Sequence, residues 1–249
     1  NKDAADALAA LVIAKCNILV AGGTGSGKTS LLNVLAAAAP HHERVLVLED
    51  TRELDISREH VLYLEARKPD EQGAGAISIR DLFRASLRMR PDRIIVGEIR
   101  GAEALDLLQA MVSGHGGCLG TLHASTPRDA LTRLETLCMM SDVNMPLAAI
   151  RLQIGSGIDL LVQVDRCADG SRKLTNITEV VNFDADTRRY ELRPLFARAH
   201  AHNSTGPGEL LPTGVLPTCA ANLGAYGVQL PAAMLDAAAA AAHTKALGA

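Results

Sequence analysis

Gly22-Gly23-Thr24-Gly25-Ser26-Gly27-Lys28-Thr29 is the stretch that decides the fold of this chain. It matches the pattern G-x-x-x-x-G-K-[ST], which is typical of a phosphate-binding loop. An apolar run at 17–21 predicts a strand directly before the stretch, and the pattern at 31–38 predicts a helix after it. Strand, loop and helix in this order are the context in which the pattern binds nucleotides. The sequence therefore predicts nucleotide binding.

The residue types in the loop suit this chemistry. Glycines allow successive backbone N–H groups to point inward at phosphate oxygens, and the following helix adds its positive amino-terminal end. We expect Lys28 to bridge the β- and γ-phosphates of ATP and the Thr29 hydroxyl to coordinate Mg²⁺. The nucleotide-contacting residues predicted from the loop are Gly22, Gly23, Thr24, Gly25, Ser26, Gly27, Lys28, Thr29 and Ser30.

Outward from the loop, the chain alternates between predicted strands and helices, which is typical of an α/β fold with a mostly parallel central sheet flanked by helices. The further strands are predicted at 44–50, 61–64, 94–96, 119–122, 160–164, 173–181 and 190–195. The further helices are predicted at 3–14, 79–89, 102–112, 127–138 and 147–154. The spacing of Ser78 and Asp81 predicts a capped start for the helix at 79–89.

The composition shifts to Gly, Pro, Thr and Ala after about residue 199. We therefore expect one catalytic domain over 1–199 and an irregular Gly/Pro/Ala-rich tail over 200–249. Alanine favours helix, so a final helix is predicted over 231–247.

Composition excludes several classes of protein. The 249 residues are ample for a buried core, and 48% hydrophobic with 21% charged residues excludes a disordered chain. Only 2% of the residues are aromatic and the net charge is -3, which weighs against base stacking and broad nucleic-acid binding. The five cysteines form no C-x-x-C pair and indicate reduced thiols rather than a zinc site or a disulfide framework. No apolar run reaches the length of a membrane-spanning helix.

Acidic residues follow two of the predicted strands. Glu49 and Asp50 end the strand at 44–50, and Glu98 follows the strand at 94–96, so all three are expected at the carboxyl edge of the sheet. A carboxylate there can activate water or hold Mg²⁺ through a water molecule. Glu98 has the position of the acid in a Walker B strand, with Gly97 in place of the usual Asp. The alternative is that Glu98 only ends a strand at the surface.

Two histidines and a group of arginines remain open to two interpretations each. His115 and His123 flank the strand at 119–122, either as structural histidines or as a pair that senses the γ-phosphate. The arginines are either solvated and paired with acids, or one of them enters a neighbouring subunit's site as an arginine finger. They are Arg80, Arg84, Arg88, Arg90, Arg93 and Arg100.

Four motifs in order carry a family resemblance. Residues 22–29, 49–54, 87–101 and 114–124 resemble the Walker A, Asp box, Walker B and His box of the type II/type IV secretion ATPases. Residues 125–135, 170–173 and 177–180, with Thr213-Gly214-Val215-Leu216-Pro217 in the tail, are similar to the CpaF-like ATPases of Tad/Flp pilus systems. The resemblance covers the C-terminal ATPase half of such proteins, so the chain is expected to be part of a longer subunit whose N-terminal domain is absent here.

The resemblance implies a RecA-like P-loop NTPase that uses ATP and Mg²⁺. By position it makes Lys28 and Thr29 the nucleotide and Mg²⁺ ligands, with Glu98 as the catalytic glutamate, which also holds Mg²⁺ through water. The remaining implied functional residues are Glu49, Asp50 and Glu53 of the Asp box, His115 and His123 of the His box, and Arg100.

The same resemblance implies a homohexamer at the cytoplasmic face of the inner membrane. Such a motor drives pilus assembly or secretion through inner-membrane platform proteins, associates with the membrane only through those partners, and makes no direct contact with nucleic acid. Three alternatives stay open: an ATPase of conjugative or effector type IV secretion, a DNA-translocating RecA-like motor, and a non-catalytic nucleotide-binding module.

Overall fold

The computed structural model describes residues 1–198 and 208–247, with the backbone alone at 220–222 and 245–247. The helices are α1 (Lys2–Ile13), α2 (Lys28–Ala37), α3 (Ile79–Ser86), α4 (Glu103–Val112), α5 (Pro127–Met139), α6 (Leu147–Gly157) and α7 (Ala232–Leu247). The strands are β1 (Ile18–Gly22), β2 (Val45–Glu49), β3 (Val61–Glu65), β4 (Arg93–Val96), β5 (Leu119–Leu122), β6 (Leu160–Arg166), β7 (Arg172–Asp184), β8 (Arg189–Arg198) and β9 (Leu210–Pro212).

The nine strands found in the described residues form one sheet in the order β3-β2-β4-β5-β1-β6-β7-β8-β9. The strands from β3 to β6 in this order pair in parallel, and β7, β8 and β9 extend the sheet antiparallel. The predicted α/β fold with a mostly parallel central sheet is confirmed. Because β1, β2, β4 and β5 are parallel, their carboxyl ends meet at one edge of the sheet.

Helices cover both faces of the sheet, which is why β1, β2, β4 and β5 are buried at every residue. Alternate residues of β1 enter two different apolar clusters: Ile18 and Val20 pack with residues of α1 and α2, whereas Leu19 and Ala21 pack with residues of α3 to α6. The clusters hold the sheet rigid between two helical layers, and this rigidity positions the loops at its carboxyl edge.

Helix boundaries differ from the prediction by three residues in three places, one of which is α6, which ends at Gly157 rather than at residue 154. The helix predicted at 31–38 begins at Lys28, because the loop before it runs directly into the first helical turn. Ser78 caps α3 as predicted, in a reciprocal capping box with Asp81, but α3 ends at Ser86 rather than at residue 89. Beyond Ser86 the backbone makes tighter turns, with Met89 N–H donating to Ser86 O at 2.9 Å, and Arg90 adopts a positive φ of 52°.

The C-terminal segment is more ordered than its composition predicts. β9 pairs with β8, and residues Thr218–Tyr226 form a 3-10 helix before α7. Leu210, Leu223, Leu230 and Met234 are buried in the cluster that also contains α1 and α2. The prediction that this segment is irregular is therefore wrong for 210–212 and 218–226. Its apolar residues have no helical or strand periodicity in the sequence, yet they are buried by packing against distant parts of the chain. The final helix is confirmed as Ala232–Leu247.

The boundary at 199/200 lies outside the described residues, and the division into two domains stays a prediction. None of the helices in the described ranges has the length and apolar character to cross a membrane.

Candidate nucleotide site

A cavity of about 480 Å³ opens at the carboxyl edge of the parallel strands. It is lined by parts of the phosphate-binding loop and by residues that follow β2, β4 and β5. The predicted site residues that line it are Thr24, Gly25, Lys28, Thr29, Glu49, Asp50, Glu53, Glu98, Arg100 and His123. Parallel pairing of β2, β4, β5 and β1 is what brings these distant stretches together.

The loop has the backbone geometry that a phosphate group requires. Gly25 and Gly27 adopt φ values of 69° and 99°, a conformation that residues with a side chain rarely take. In the described chain no side chain caps the amino terminus of α2, so its first N–H groups face the loop as donors. The arrangement supplies donors and a helix dipole to an anion.

Gly22 has a different task from Gly25 and Gly27. A Cβ atom there would lie 2.3 Å from Val164 O and 2.5 Å from Ser26 Oγ. The first glycine of the motif is thus required by the close packing of the loop on β6.

Lys28 closes over the loop. It is largely buried, and its Nζ donates to Gly23 O at 2.9 Å. Burial lowers the pKa of the Lys28 ammonium; the Glu98 and Glu53 carboxylates oppose that effect, and Arg100 adds to it. An arriving phosphate would replace Gly23 O as the acceptor and favour the charged lysine.

The acidic loop after β2 is organised by Glu49. Its Oε1 accepts from Glu53 N–H at 3.1 Å and from Leu54 N–H at 3.0 Å, and the side chain is buried. Burial raises the Glu49 pKa, and these two backbone bonds partly oppose the effect. Glu53, placed in this way, accepts from Thr29 Oγ1 at 3.2 Å. Glu49 thus positions the loop that faces the end of α2.

Glycine at position 97 has a steric reason. A Cβ atom at Gly97 would lie 2.7 Å from Glu49 Cγ and 3.1 Å from Glu49 Oε1. An aspartate at the usual Walker B position would collide with the buried glutamate of β2. Gly97 replaces the usual Walker B aspartate because the Glu49 side chain occupies the space that a side chain at position 97 would need.

Glu98 accepts hydrogen bonds from the Arg100 guanidinium and lies beside the His123 imidazole. Arg100 Nε donates to Glu98 Oε2 at 2.7 Å, Arg100 Nη2 contacts the same oxygen, and His123 Nε2 lies 2.7 Å from Glu98 Oε1. Arg100 Nη1 also reaches Asp50 Oδ2 at 3.5 Å. The Glu98 side chain is 19% exposed, whereas that of Arg100 is 63% exposed. The carboxylate is therefore oriented within the cavity by a partner that is free to move into solvent.

His115 lies away from this cavity. It precedes β5, whereas His123 follows it, so the two histidines are at opposite edges of the sheet. His115 N–H donates to Ala110 O at 3.0 Å, and its carbonyl oxygen accepts from Cys118 Sγ at 3.1 Å. Of the two histidines only His123 lines the cavity, so a part for His115 in sensing the γ-phosphate stays a prediction that needs contacts between subunits.

The arginines divide between structural and exposed positions. Arg93 is fully buried against Glu43, and Arg80 and Arg84 both pair with Asp106. Arg88 and Arg90 are exposed, and Arg100 lines the cavity. Burial excludes Arg93 as a residue that enters a neighbouring subunit.

Two further residues at the site were missed by the sequence interpretation. Thr121 lines the cavity and donates through Oγ1 to Gly97 O at 2.6 Å, which ties β5 to the turn before Glu98. Arg172 lies over the phosphate-binding loop, since a Cβ at Gly27 would be 3.4 Å from its Cδ. Both lie in stretches that carry the family resemblance, but only strand pairing shows that their side chains reach the site.

Comparison with known proteins agrees with this geometry. Residues 1–200 match the family model described as type II/IV secretion system protein. The putative conjugal transfer protein Rv3659c of Mycobacterium tuberculosis is 41% identical over 174 residues, which are 70% of this chain and 49% of that protein. The type IV secretion system protein PtlH of Bordetella pertussis is 45% identical over 161 residues, 63% of this chain and 47% of that protein.

Solved structures give the same result. The VirB11 ATPase of the Brucella suis type IV secretion system, in complex with sulphate, superposes with a TM-score of 0.62 at 30% identity, over 68% of this chain and 50% of that chain. The pilus retraction motor PilT with bound ADP has a TM-score of 0.51 at 25% identity, over 74% of this chain and 49% of that chain. The chain spans about half the length of the curated relatives it matches. It belongs to the family of type II/IV secretion system proteins, whose solved structures include RecA-like secretion ATPases.

Proposed function

We propose that this chain binds and hydrolyses ATP as the catalytic part of a type IV secretion or conjugal transfer motor. The observation that carries the proposal is the shared cavity, in which the phosphate-binding loop, an acidic loop and Glu98 meet at one edge of the sheet. A cradle of donors beside an oriented carboxylate is the arrangement that phosphate-ester hydrolysis requires.

ATP phosphates are held by the loop and by Lys28. The first N–H groups of α2 and the turns at Gly25 and Gly27 supply donors, and the Lys28 ammonium moves from Gly23 O to the phosphates. Arg172 stands beside the same loop as a further positive charge.

The donor set also fits Mg²⁺, which prefers oxygen ligands and keeps several waters. The Thr29 hydroxyl would bind the ion directly and Glu98 would hold it through water, while Glu53 orients Thr29 by their hydrogen bond. When bound, Mg²⁺ neutralises charge on the phosphate oxygens.

Glu98 activates the attacking water in this proposal. The hydrogen bonds from Arg100 fix the direction of its carboxylate, but they occupy Oε2. Water reaches that oxygen when the exposed Arg100 side chain swings away, with Asp50 as its alternative partner.

The secretion or conjugation role rests on the relatives. Two of them are described as a putative conjugal transfer protein and as a type IV secretion system protein, at 41% and 45% identity. With the family resemblance, we infer a homohexamer that works at the cytoplasmic face of the inner membrane on membrane platform proteins. The net charge of -3 favours protein partners over direct contact with DNA.

A Tad/Flp-type pilus motor is the second candidate. It is favoured by the resemblance of residues 125–135 and 170–173 to CpaF-like ATPases, and by the structural similarity to PilT.

A chromosomal Glu98→Gln allele separates the two candidates. We expect conjugal transfer or protein secretion to be lost with surface pili unchanged, whereas loss of pili alone favours the second candidate. The exposed Glu59→Gln serves as matched control. Normal transfer, secretion and piliation in the Glu98→Gln strain would contradict both. Turnover of the full-length protein that rises with added DNA would instead favour a DNA-translocating motor.

A further inference from the structure

Two cysteine sulfurs meet in this fold although 203 residues separate them. Cys16 Sγ lies 3.5 Å from Cys219 Sγ, and both are free thiols. Among the described residues no other two cysteine sulfurs lie within hydrogen-bonding distance. We propose that Cys16 and Cys219 form a redox-modification site, at which a hydroperoxide converts the two thiols into a disulfide. The proposal is independent of the nucleotide site and of its function.

Hydrogen bonds hold the backbone segments that carry the two cysteines. Cys16 follows α1, is 3% exposed, and donates its N–H to Leu11 O at 3.1 Å. Cys219 belongs to the 3-10 helix at Thr218–Tyr226, whose first residue donates from both N–H and Oγ1 to Glu179 Oε1 at 2.6 Å. An S–S bond is about 2.05 Å long, so a shift of roughly 1.5 Å at flexible side chains closes it.

A small oxidant reaches the pair through a cavity of about 390 Å³ lined by Cys16, Cys219, Asp159 and Tyr226. Tyr226 is half-exposed at its rim. Cys118 and Cys138 are fully buried. Cys167 is partly exposed in the turn between β6 and β7. Among these cysteines, Cys219 therefore combines access for a small oxidant with a second thiol in contact.

The chemistry divides between the two sulfurs. The hydrogen bond from the Cys16 thiol lowers the pKa of Cys219, against the opposing effects of burial and of the Asp159 and Glu179 carboxylates. The same hydrogen bond and burial raise the pKa of Cys16. Cys219 is therefore the sulfur that becomes a thiolate and attacks first.

The reaction balances with one hydroperoxide. The Cys219 thiolate attacks one peroxide oxygen, the O–O bond breaks, and the leaving oxygen takes a proton to form water or an alcohol, which leaves a sulfenic acid on Cys219. The Cys16 sulfur then attacks that sulfur, the S–O bond breaks, and a second water leaves with the Cys16 proton. The two sulfurs lose two electrons and the peroxide gains them.

The disulfide has a structural consequence. It ties the C-terminal 3-10 helix to a residue two positions before β1, the strand that leads into the phosphate-binding loop. A cross-link that closes so long a loop restricts the unfolded chain, so oxidation raises the midpoint of thermal unfolding.

The test uses the 249-residue chain treated with one equivalent of hydrogen peroxide. Proteolysis without reduction, followed by mass spectrometry, should give one cross-linked peptide pair containing Cys16 and Cys219, lighter by two hydrogens. Calorimetry should show a higher unfolding midpoint, and a dithiol reductant should reverse both changes.

Cys219→Ser should abolish the cross-link and the shift of the midpoint. Cys167→Ser is the matched control and should leave both unchanged. Cys16→Ser provides an independent second variant, with its fold checked by circular dichroism. A natively folded chain in which peroxide yields sulfinic acid at Cys219, cross-links between chains, or oxidation at Cys167 alone would overturn the proposal.

Discussion

Two of the arginine–glutamate pairs in the described residues lie at opposite edges of the same sheet, and they differ in burial and in the number of their partners. At the amino edge, Arg93 is fully buried and donates to Glu43 Oε2 at 2.9 Å, to Gly117 O at 3.0 Å and to Val12 O at 3.0 Å. At the carboxyl edge, Arg100 holds Glu98 but remains 63% exposed. The first pair is locked by several partners, and the second is free to exchange partners.

The difference separates stability from function. Arg93 joins the end of α1, the start of β4 and the turn before β5, so its loss leaves the buried Glu43 with only the partly exposed Lys15 as an ionic partner. Arg100 and Glu98 line a cavity, where an exposed ion pair contributes little to stability. The amino edge therefore fixes the sheet, while the carboxyl edge is left to rearrange around a ligand.

The largest expected effect is on catalysis. Glu98→Gln in the full-length protein should lower the rate of ATP hydrolysis by about 10²- to 10⁴-fold, because the amide cannot accept a proton from water. ATP affinity and thermal stability should stay close to wild type, as measured by phosphate release, calorimetry and thermal denaturation. Glu59→Gln, an exposed acid, is the control. A normal rate in Glu98→Gln would mean that another carboxylate activates water.

The next effect is on stability at the amino edge. Arg93→Met should lower the free energy of unfolding by about 3–5 kcal/mol, since the buried Glu43 keeps only the partly exposed Lys15, at 3.5 Å, as an ionic partner. Arg100→Met, the matched substitution in the exposed pair, should cost less than about 1 kcal/mol. Urea denaturation of both variants measures the contrast. Equal losses would show that the two pairs are not distinguished by burial.

A smaller effect depends on pH. Burial raises the Glu49 pKa above the ordinary value of 4.5, so the folded chain binds this proton more tightly than the unfolded chain does. The contribution of Glu49 to stability is therefore greatest at low pH and declines as the pH rises through 4.5 and then through the folded pKa.

Glu49→Gln removes this titration and keeps an acceptor for the Glu53 and Leu54 N–H groups. The difference in free energy of unfolding between variant and wild type should shift in favour of Glu49→Gln between about pH 4 and pH 7. Glu59→Gln, the same substitution at an exposed position, is the control. A flat difference for Glu49→Gln across this range contradicts a raised pKa.

The smallest effect is expected for His115. His115 lies outside the cavity, so His115→Ala removes no group that lines it. The ATP hydrolysis rate of the full-length variant should stay within about twofold of the wild-type rate. His123→Ala removes the partner of Glu98 Oε1 and should reduce turnover or uncouple it from secretion. Equal loss of turnover in both variants would support the interpretation in which both histidines sense the γ-phosphate, with His115 acting through a contact between subunits.

Local pattern was enough to predict most of the architecture. Apolar runs located β1 to β8 and the helices to within a few residues, and the motif at 22–29 placed the loop between β1 and α2. The carboxyl-edge position of Glu49, Asp50 and Glu98 follows from parallel pairing, which the alternation of strands and helices already indicates.

Contacts between distant residues were not predictable in this way. Arg93 and Glu43 are separated by 50 residues along the chain, and Cys16 and Cys219 are separated by 203 residues. No periodicity encodes such contacts. The sequence therefore did not distinguish the buried Arg93 from the exposed Arg88 and Arg90. His115 and His123 flank β5 as the sequence predicts, but the motif does not tell which of them faces the cavity.

Calorimetric titration of this chain with ATP and Mg²⁺ tests most directly whether the carboxyl edge is a nucleotide site. Wild type and Lys68→Ala, an exposed control, should bind with the same affinity. Lys28→Ala should bind about 100-fold more weakly, because the loop loses a charge-assisted hydrogen bond to the phosphates. Unchanged affinity in a folded Lys28→Ala chain would contradict the assignment of the phosphate-binding loop.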